Sequence, residues 1–422
     1  MKGFVIKKVI AREILDSRGE PTVEAEVILD NGIVGTASVP SGISKGVNEA
    51  VELRDKGRRY HGRGVLKAVV NINNKISRAV SGFDCRLQKE LDLAMASMDA
   101  TADKSRLGAN AILAVSLANA RAAAKAKDVE LYEHLRALID VKKKPKISIP
   151  VPFCNLIEGG KHAGNDLRIQ EFMIAPVKAK SFREAAQMAA ETYEALKLQL
   201  LGLYGKSAVN VGYEGGFAPP ISDTREALRI IEKAVQKSGH SGKIRLAIDA
   251  AASEFYKKEH YMIDKKYSED ELLDYYLQLI KDYKLISIED PFEQEDLKGF
   301  NRLTKLSGIQ VVADDLTTTN MRRILRAVDL KAGNCLLLKP NQVGTLTEAI
   351  EAGLFAMSNK WNVMVSHRGG ETGDDFISDL AVALGCGQIK IGAPARGERV
   401  AKYNRLLRIE EEAGRKISYA RL

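Results

Sequence analysis

Lys339 closes the apolar run Leu336-Leu337-Leu338 and is followed at once by Pro340. Three consecutive leucines are the pattern of a strand buried on both faces, and proline, which has no N–H for a sheet ladder, ends it. An ammonium delivered to the end of such a strand can become a base if cations stand near it. Alone, it would simply snorkel to solvent. It has company. The apolar runs 245–248, 285–288 and 309–313 end in Asp249, Glu289-Asp290 and Asp314-Asp315, while 362–365 and 388–389 end in Ser366-His367-Arg368 and Lys390. From Glu289 the steps are 25 residues to Asp314, 25 to Lys339, 27 to Ser366 and 24 to Lys390. A strand, a helix and two short loops need about that length. Polar strand ends at this interval predict a parallel α/β barrel that gathers them at one mouth.

Asp249, Glu289 and Asp314 end three successive predicted strands with no Cys or His beside them. An all-oxygen ligand set selects a hard cation, and magnesium also leaves positions for substrate oxygens. A single such carboxylate could cap a helix or pair with a lysine; three in succession, with two lysines nearby, favour the metal. Glu214 stands among Gly212, Gly215 and Gly216, either as a turn carboxylate or as an acid held by close backbone. A lysine base, a hard cation and a separate acid suit removal of a proton beside a carboxylate, followed by loss of a leaving group.

The elements that must position these groups follow from the rest of the chain. Residues 4–16 and 22–30 read as two strands, the second by strict alternation of Thr22, Glu24 and Glu26 with Val23, Ala25 and Val27. Helical patterns over 65–80, 87–97 and 110–127 complete an α+β domain over 1–139. The lysine-rich stretch 140–149 reads as a linker, and 150–422 as the barrel domain. Within the first domain, the serine- and glycine-rich loop 38–46 either merely connects or closes over a ligand, and Lys45, suited to an anion, favours a lid. His162 follows a glycine pair in a second mobile-looking loop. Glu171 lies in a strand-like run over 169–174, with Gln170 before it.

Net charge is +9, but lysines and arginines are dispersed among acids rather than clustered with aromatics, so no dedicated nucleic-acid surface is expected. The four cysteines lie far apart without a Cys-x-x-Cys pair, which predicts reduced structural thiols. Lys7, Lys8 and Arg12 interrupt the early apolar residues, and no apolar run is long enough to cross a bilayer. A cytoplasmic protein is expected.

With these residues assembled, the chain resembles the enolase family from about residue 4 to 412. The resemblance is carried by Asp16-Ser17-Arg18-Gly19, Ser38-Val39-Pro40-Ser41-Gly42, Gln170-Glu171-Phe172-Met173-Ile174 and Ser287-Ile288-Glu289-Asp290-Pro291-Phe292. Ala313-Asp314-Asp315-Leu316, Leu338-Lys339-Pro340-Asn341-Gln342, Val365-Ser366-His367-Arg368 and Gly387-Gln388-Ile389-Lys390 complete it in the same order. A lysine base with Mg²⁺ is a known design of that superfamily. The resemblance implies a barrel with an antiparallel second strand and reversible dehydration of 2-phosphoglycerate to phosphoenolpyruvate. It implies that Lys339 takes the C2 proton, and that Glu214, with Glu171 beside it, protonates the departing hydroxyl. Asp249, Glu289 and Asp314 would hold one Mg²⁺; a second would arrive with substrate at Ser41. Arg368, with its neighbours Ser366, His367 and Gly369, would meet the phosphate, Lys390 the carboxylate, and His162 and Gln170 would help to close the site. It also implies a homodimer, or an assembly of dimers, with Glu24 of one subunit facing Arg408 of the other. Four positions depart from the family pattern: Glu20, Tyr213, Lys45, and Gly369 in place of a phosphate-contacting serine.

Overall fold

The computed structural model describes residues 3–43 and 46–422; Ser44 and Lys45, in the expected lid, lie outside the described residues. The amino-terminal part opens with an antiparallel meander of Ile6–Leu15, Pro21–Leu29 and Val34–Ser38. Val23, Ala25, Val27 and Leu29 are fully buried, as the alternation requires. The alanine-rich helix Ala109–Ala126 covers the buried face of this sheet. The expected helix over 65–80 is interrupted by a wider π turn at Ile72–Ile76. There the Asn73 side chain accepts from Ala11 N at 2.8 Å and donates to Ala11 O at 3.1 Å, pairing an edge strand that would otherwise stay open. The third strand and the helix Leu131–Leu138 were not expected from the sequence.

Eight strands close the second part into a barrel, in the order Val151–Glu158, Glu171–Ala175, Arg245–Asp249, Ser287–Glu289, Gln310–Ala313, Cys335–Leu338, Asn362–Ser366 and Gly387–Lys390. The second strand runs antiparallel to both neighbours, and every other pairing is parallel. Phe153, Met173, Ala247, Val312, Leu337 and Met364 pack together in the core at the barrel interior. This is a filled centre, so chemistry is confined to the strand ends. The last two linker residues, Ser148–Ile149, form a short strand paired with Ser418–Tyr419. Among the described residues, no helix is long and apolar enough to cross a membrane.

The meander domain sits against the barrel mouth. Asp374, beyond the seventh barrel strand, accepts from Ser38 N at 2.9 Å and from Arg121 at 2.7 Å. Ser41 and Gly370 exchange both backbone hydrogen bonds. The loop therefore starts from an anchored base.

Candidate active site

Sheet register sets the first half of the site. Glu171 lies opposite Asp249, and Asp249 opposite Glu289, so three carboxylates stand side by side along the rim. Lys390, paired with Ser366 on the eighth strand, brings its Nζ within 3.0 Å of Glu171, 3.0 Å of Asp249 and 2.8 Å of Glu289. Burial disfavours the ammonium, but Asp249, Glu171 and Glu289 outweigh it and hold the Lys390 pKa well above its ordinary value. Glu289 is pushed well up, by burial and then by repulsion from Asp249. Gln170 donates to Asp249 at 3.4 Å.

Asp314 and Lys339 form the second pair. Lys339 Nζ donates to Asp314 Oδ2, and Gln342 donates to Oδ1 at 2.8 Å. Burial alone would lower the Lys339 pKa, but the Asp314 carboxylate prevails and raises it. An acid in direct contact outweighs the cations Arg368 and Lys390 farther off. Asp314 itself is lowered, because Lys339 and Arg368 overcome the effect of its burial.

The acid side is built by Val151–Glu158 and the glycine loop. Glu214 Oε2 receives Asn155 Nδ2 at 2.6 Å, with His367 Nε2 at 3.3 Å and His162 Nδ1 at 3.7 Å. Glu158 accepts the N–H of Glu214 at 3.2 Å and of Gly216 at 2.6 Å, and so fixes the loop. A Cβ at Gly212 would lie 2.1 Å from Glu158 Oε2, hence the glycine. Burial would raise Glu214, but His367, His162 and Arg399 hold it well below the usual carboxylate range. Glu171, buried and facing Glu214, is pushed well above. Of the two carboxylates, Glu171 therefore has the higher proton affinity. His367 is driven down to about 3, chiefly by burial.

Arg368 extends both Nη atoms to Glu49, each at 3.0 Å, and Nη1 also to Asn341 at 3.0 Å. Glu49 comes from the amino-terminal domain, just past the loop. Ser366 Oγ turns to the carbonyl of His367 at 2.9 Å. Ile43 packs on Gly369, where a Cβ would lie 2.4 Å from its Cδ1. Ser41 sits to one side, its hydroxyl donating to Glu52 and accepting from Arg54. Most of the expected residues, together with Ile43, surround a cavity of about 20 Å³, room for roughly one water; Ser41 and Glu289 stand outside its lining. Glu24 is remote from the site and bonded to Arg12 at 2.5 Å and to the Ser38 hydroxyl at 3.0 Å. Arg408 lies exposed on helix Gly397–Ala413.

Among the described residues, the oxygen and nitrogen atoms close enough to share one ion are those of His162, Glu171 and Glu214, and those of Asp290, Asp314 and Asp315. Asp290 is spoken for, since it accepts the N–H of Asp314 at 3.0 Å and of Asp315 at 2.8 Å. Asp249 and Glu289 instead turn together to Lys390. The rim as a whole carries more buried carboxylates than cations, and its donors are mostly oxygens, with His162 the nitrogen among them: a fit for a hard cation.

Asn155, Glu158, Glu49 and Arg399 escaped the sequence reading. Asn155 and Glu158 had a signal, being polar residues inside a strand that is buried at every position. Arg399 had none, because arginine on a helix is ordinarily solvated.

A closed barrel with an antiparallel second strand, and with lysines, carboxylates and an arginine converging on its mouth, defines a barrel enzyme rather than a scaffold. Two family models match this chain: "Enolase, N-terminal domain" over residues 6–135 and "Enolase, C-terminal TIM barrel domain" over 146–421. Enolase of Methanocaldococcus jannaschii is 54% identical over 412 residues, covering 97% of this chain and 96% of its own. The enolases of Methanococcus aeolicus and Methanopyrus kandleri are each 52% identical, over 97% and 96% of this chain and 96% of their own lengths. The chain belongs to the enolase family.

Proposed function

We propose that Lys339 and the Glu171–Glu214 pair divide between them the reaction of this family member, the reversible dehydration of 2-phosphoglycerate to phosphoenolpyruvate. The chain is a lyase of the phosphopyruvate hydratase type and acts in glycolysis. The observation that carries the division of labour is the geometry of the mouth. One lysine faces Asp314, another faces three carboxylates of which Glu171 is one, and Glu171 and Glu214 stand together beside His162.

Lys339 Nζ takes the proton from C2. Its contact with Asp314 keeps it protonated, so it becomes a base once Asp314 is engaged elsewhere. Asp249, Glu289 and Asp314 would hold one Mg²⁺ and Ser41 would join a second brought with substrate; bound there, these ions would offset the negative charge that develops on the substrate carboxylate. Lys390 meets that carboxylate from the other side. Glu171 stores the proton and Glu214 presents it to the leaving hydroxyl, with His162 and Gln170 closing the site against water. Arg368 exchanges Glu49 for the substrate phosphate, with Ser366, His367 and Gly369 shaping its surroundings. Formation of phosphoenolpyruvate from 2-phosphoglycerate, with and without Mg²⁺, tests the reading; turnover undiminished by a chelator would overturn the metal assignment.

Gly369→Ser is expected to raise KM for 2-phosphoglycerate about tenfold, because the new side chain meets Ile43, and overpacking costs about 1–3 kcal/mol. Adding Ile43→Ala should recover most of that loss. Equal KM values in the single and double variants would show that the contact does not govern binding.

A symmetric homodimer with Glu24 facing Arg408 of the second copy is the expected assembly, in the cytoplasm. Arg12 would then share Glu24 with that arginine, and a two-fold axis would use the contact twice. Sedimentation at micromolar concentration should return a dimer or a multiple of one; a monomer refutes it.

A further inference from the structure

We propose that Arg399 is a positioning residue that fixes the tautomer of His367, and through it the oxygen of Glu214 on which the reacting proton travels. The second half of this statement rests on the acid role of Glu214 given above.

Arg399 is fully buried near the start of helix Gly397–Ala413. Its Nη1 lies 2.6 Å from His367 Nδ1 and donates to Arg368 O at 2.5 Å. Its Nη2 donates to Gly369 O at 2.7 Å and to Tyr213 O at 3.1 Å. A guanidinium offers donors only and does not lose its proton in proteins. Nδ1 of His367 must therefore accept, and the ring's single proton must sit on Nε2. That nitrogen faces Glu214 Oε2 at 3.3 Å, outside hydrogen-bonding geometry, so the proton it carries is turned toward the carboxylate. A second ring proton would have to face the Arg399 N–H, which bars His367 from serving as the acid itself.

Asn155 donates to the same oxygen at 2.6 Å. With Asn155 donating to Oε2 and the Nε2 proton of His367 turned to the same oxygen, the proton that Glu214 delivers is carried on Oε1. An imidazole with its proton on Nδ1 would present a lone pair to Oε2 instead, and Asn155 alone would then hold the carboxylate against that repulsion. Arg399 thus acts on the acid without touching substrate. It also binds the carbonyl next to Glu214 and the carbonyls after His367, so a purely structural role is the reading to separate from this one.

The test uses full-length protein labelled with ¹⁵N-histidine, the His367 signals being assigned by their loss in His367→Gln. The wild type should show an unprotonated Nδ1 and a protonated Nε2 at neutral pH. Arg399→Met should shift that equilibrium toward protonated Nδ1. It should also slow dehydration of 2-phosphoglycerate roughly tenfold or more relative to exchange of its C2 proton. Arg399→Lys keeps a donor for Nδ1 but loses the fork to the carbonyls, so it should retain the wild-type tautomer and most of the dehydration-to-exchange ratio. A wild type protonated on Nδ1 overturns the proposal even if no variant folds. So does an Arg399→Met protein with the wild-type tautomer and both rates reduced together. The tautomer is read without turnover, so an inactive wild type with the expected tautomer would reject the acid role of Glu214 and not the Arg399–His367 contact.

Discussion

Lys339→Ala is expected to abolish exchange of the C2 proton of 2-phosphoglycerate with solvent, whereas Glu214→Gln is expected to keep that exchange while losing dehydration. Each variant should lower turnover on the order of 10²–10⁴-fold, the usual worth of one positioned acid or base. The two effects separate because the groups lie on different walls of the mouth. Lys339 follows the sixth strand and pairs with Asp314, while Glu214 hangs from Glu158 and Asn155 at the first strand. Glu171→Gln should resemble Glu214→Gln, since the two carboxylates are coupled and burial beside Glu214 raises the proton affinity of Glu171. Measuring deuterium uptake into recovered substrate alongside phosphoenolpyruvate formation decides the matter. Exchange lost in Glu214→Gln but kept in Lys339→Ala would reverse the assignment.

Lys390→Met should destabilise the metal-free protein by about 3–5 kcal/mol, because it removes the one ammonium that three buried carboxyl groups share. Glu171, Asp249 and Glu289 are each no more than 3% exposed, so water cannot replace the lost partner. Their ladder register prevents them from moving apart. Mg²⁺ should return much of this stability without restoring turnover, since a ligand that binds only the folded state stabilises it. Thermal unfolding in a chelator and then in excess Mg²⁺, for variant and wild type, measures both terms. A variant as stable as the wild type in the chelator would mean that these carboxylates are already protonated and need no counter-ion.

What the sequence disclosed of this site, and what it withheld, follows from distance along the chain. Glu289, Asp314, Lys339, Ser366 and Lys390 each close a strand-like run at a near-constant interval, which predicts a shared rim, and Asp249 joins them as one more strand-end acid. The reversed second strand has no such mark: Phe172, Met173 and Ile174 are buried whichever way the strand runs, and its direction came from resemblance. The contacts of Glu49 with Arg368 and of Arg399 with His367 bridge elements far apart in the chain and leave no periodic trace. Proton positions were equally hidden. The contact of Lys339 with the Asp314 acid left no mark in the sequence, nor did the two imidazoles and the arginine that act on Glu214.

The paired contact of Glu49 with Arg368 makes ligand capture an ion exchange. The incoming phosphate does not meet a bare guanidinium; it competes with a tethered carboxylate that already uses both Nη atoms. Such an internal competitor sets a threshold in charge. A dianionic phosphoryl group can outbid one carboxylate, while a monoanion of similar shape gains little by the trade. Glu49→Gln should lower the threshold, tightening binding of carboxylate analogues of 2-phosphoglycerate more than of the phosphate itself. Titration of both ligand types against both proteins would reveal the loss of discrimination; equal gains for the two would show that Glu49 merely occupies the arginine and does not select.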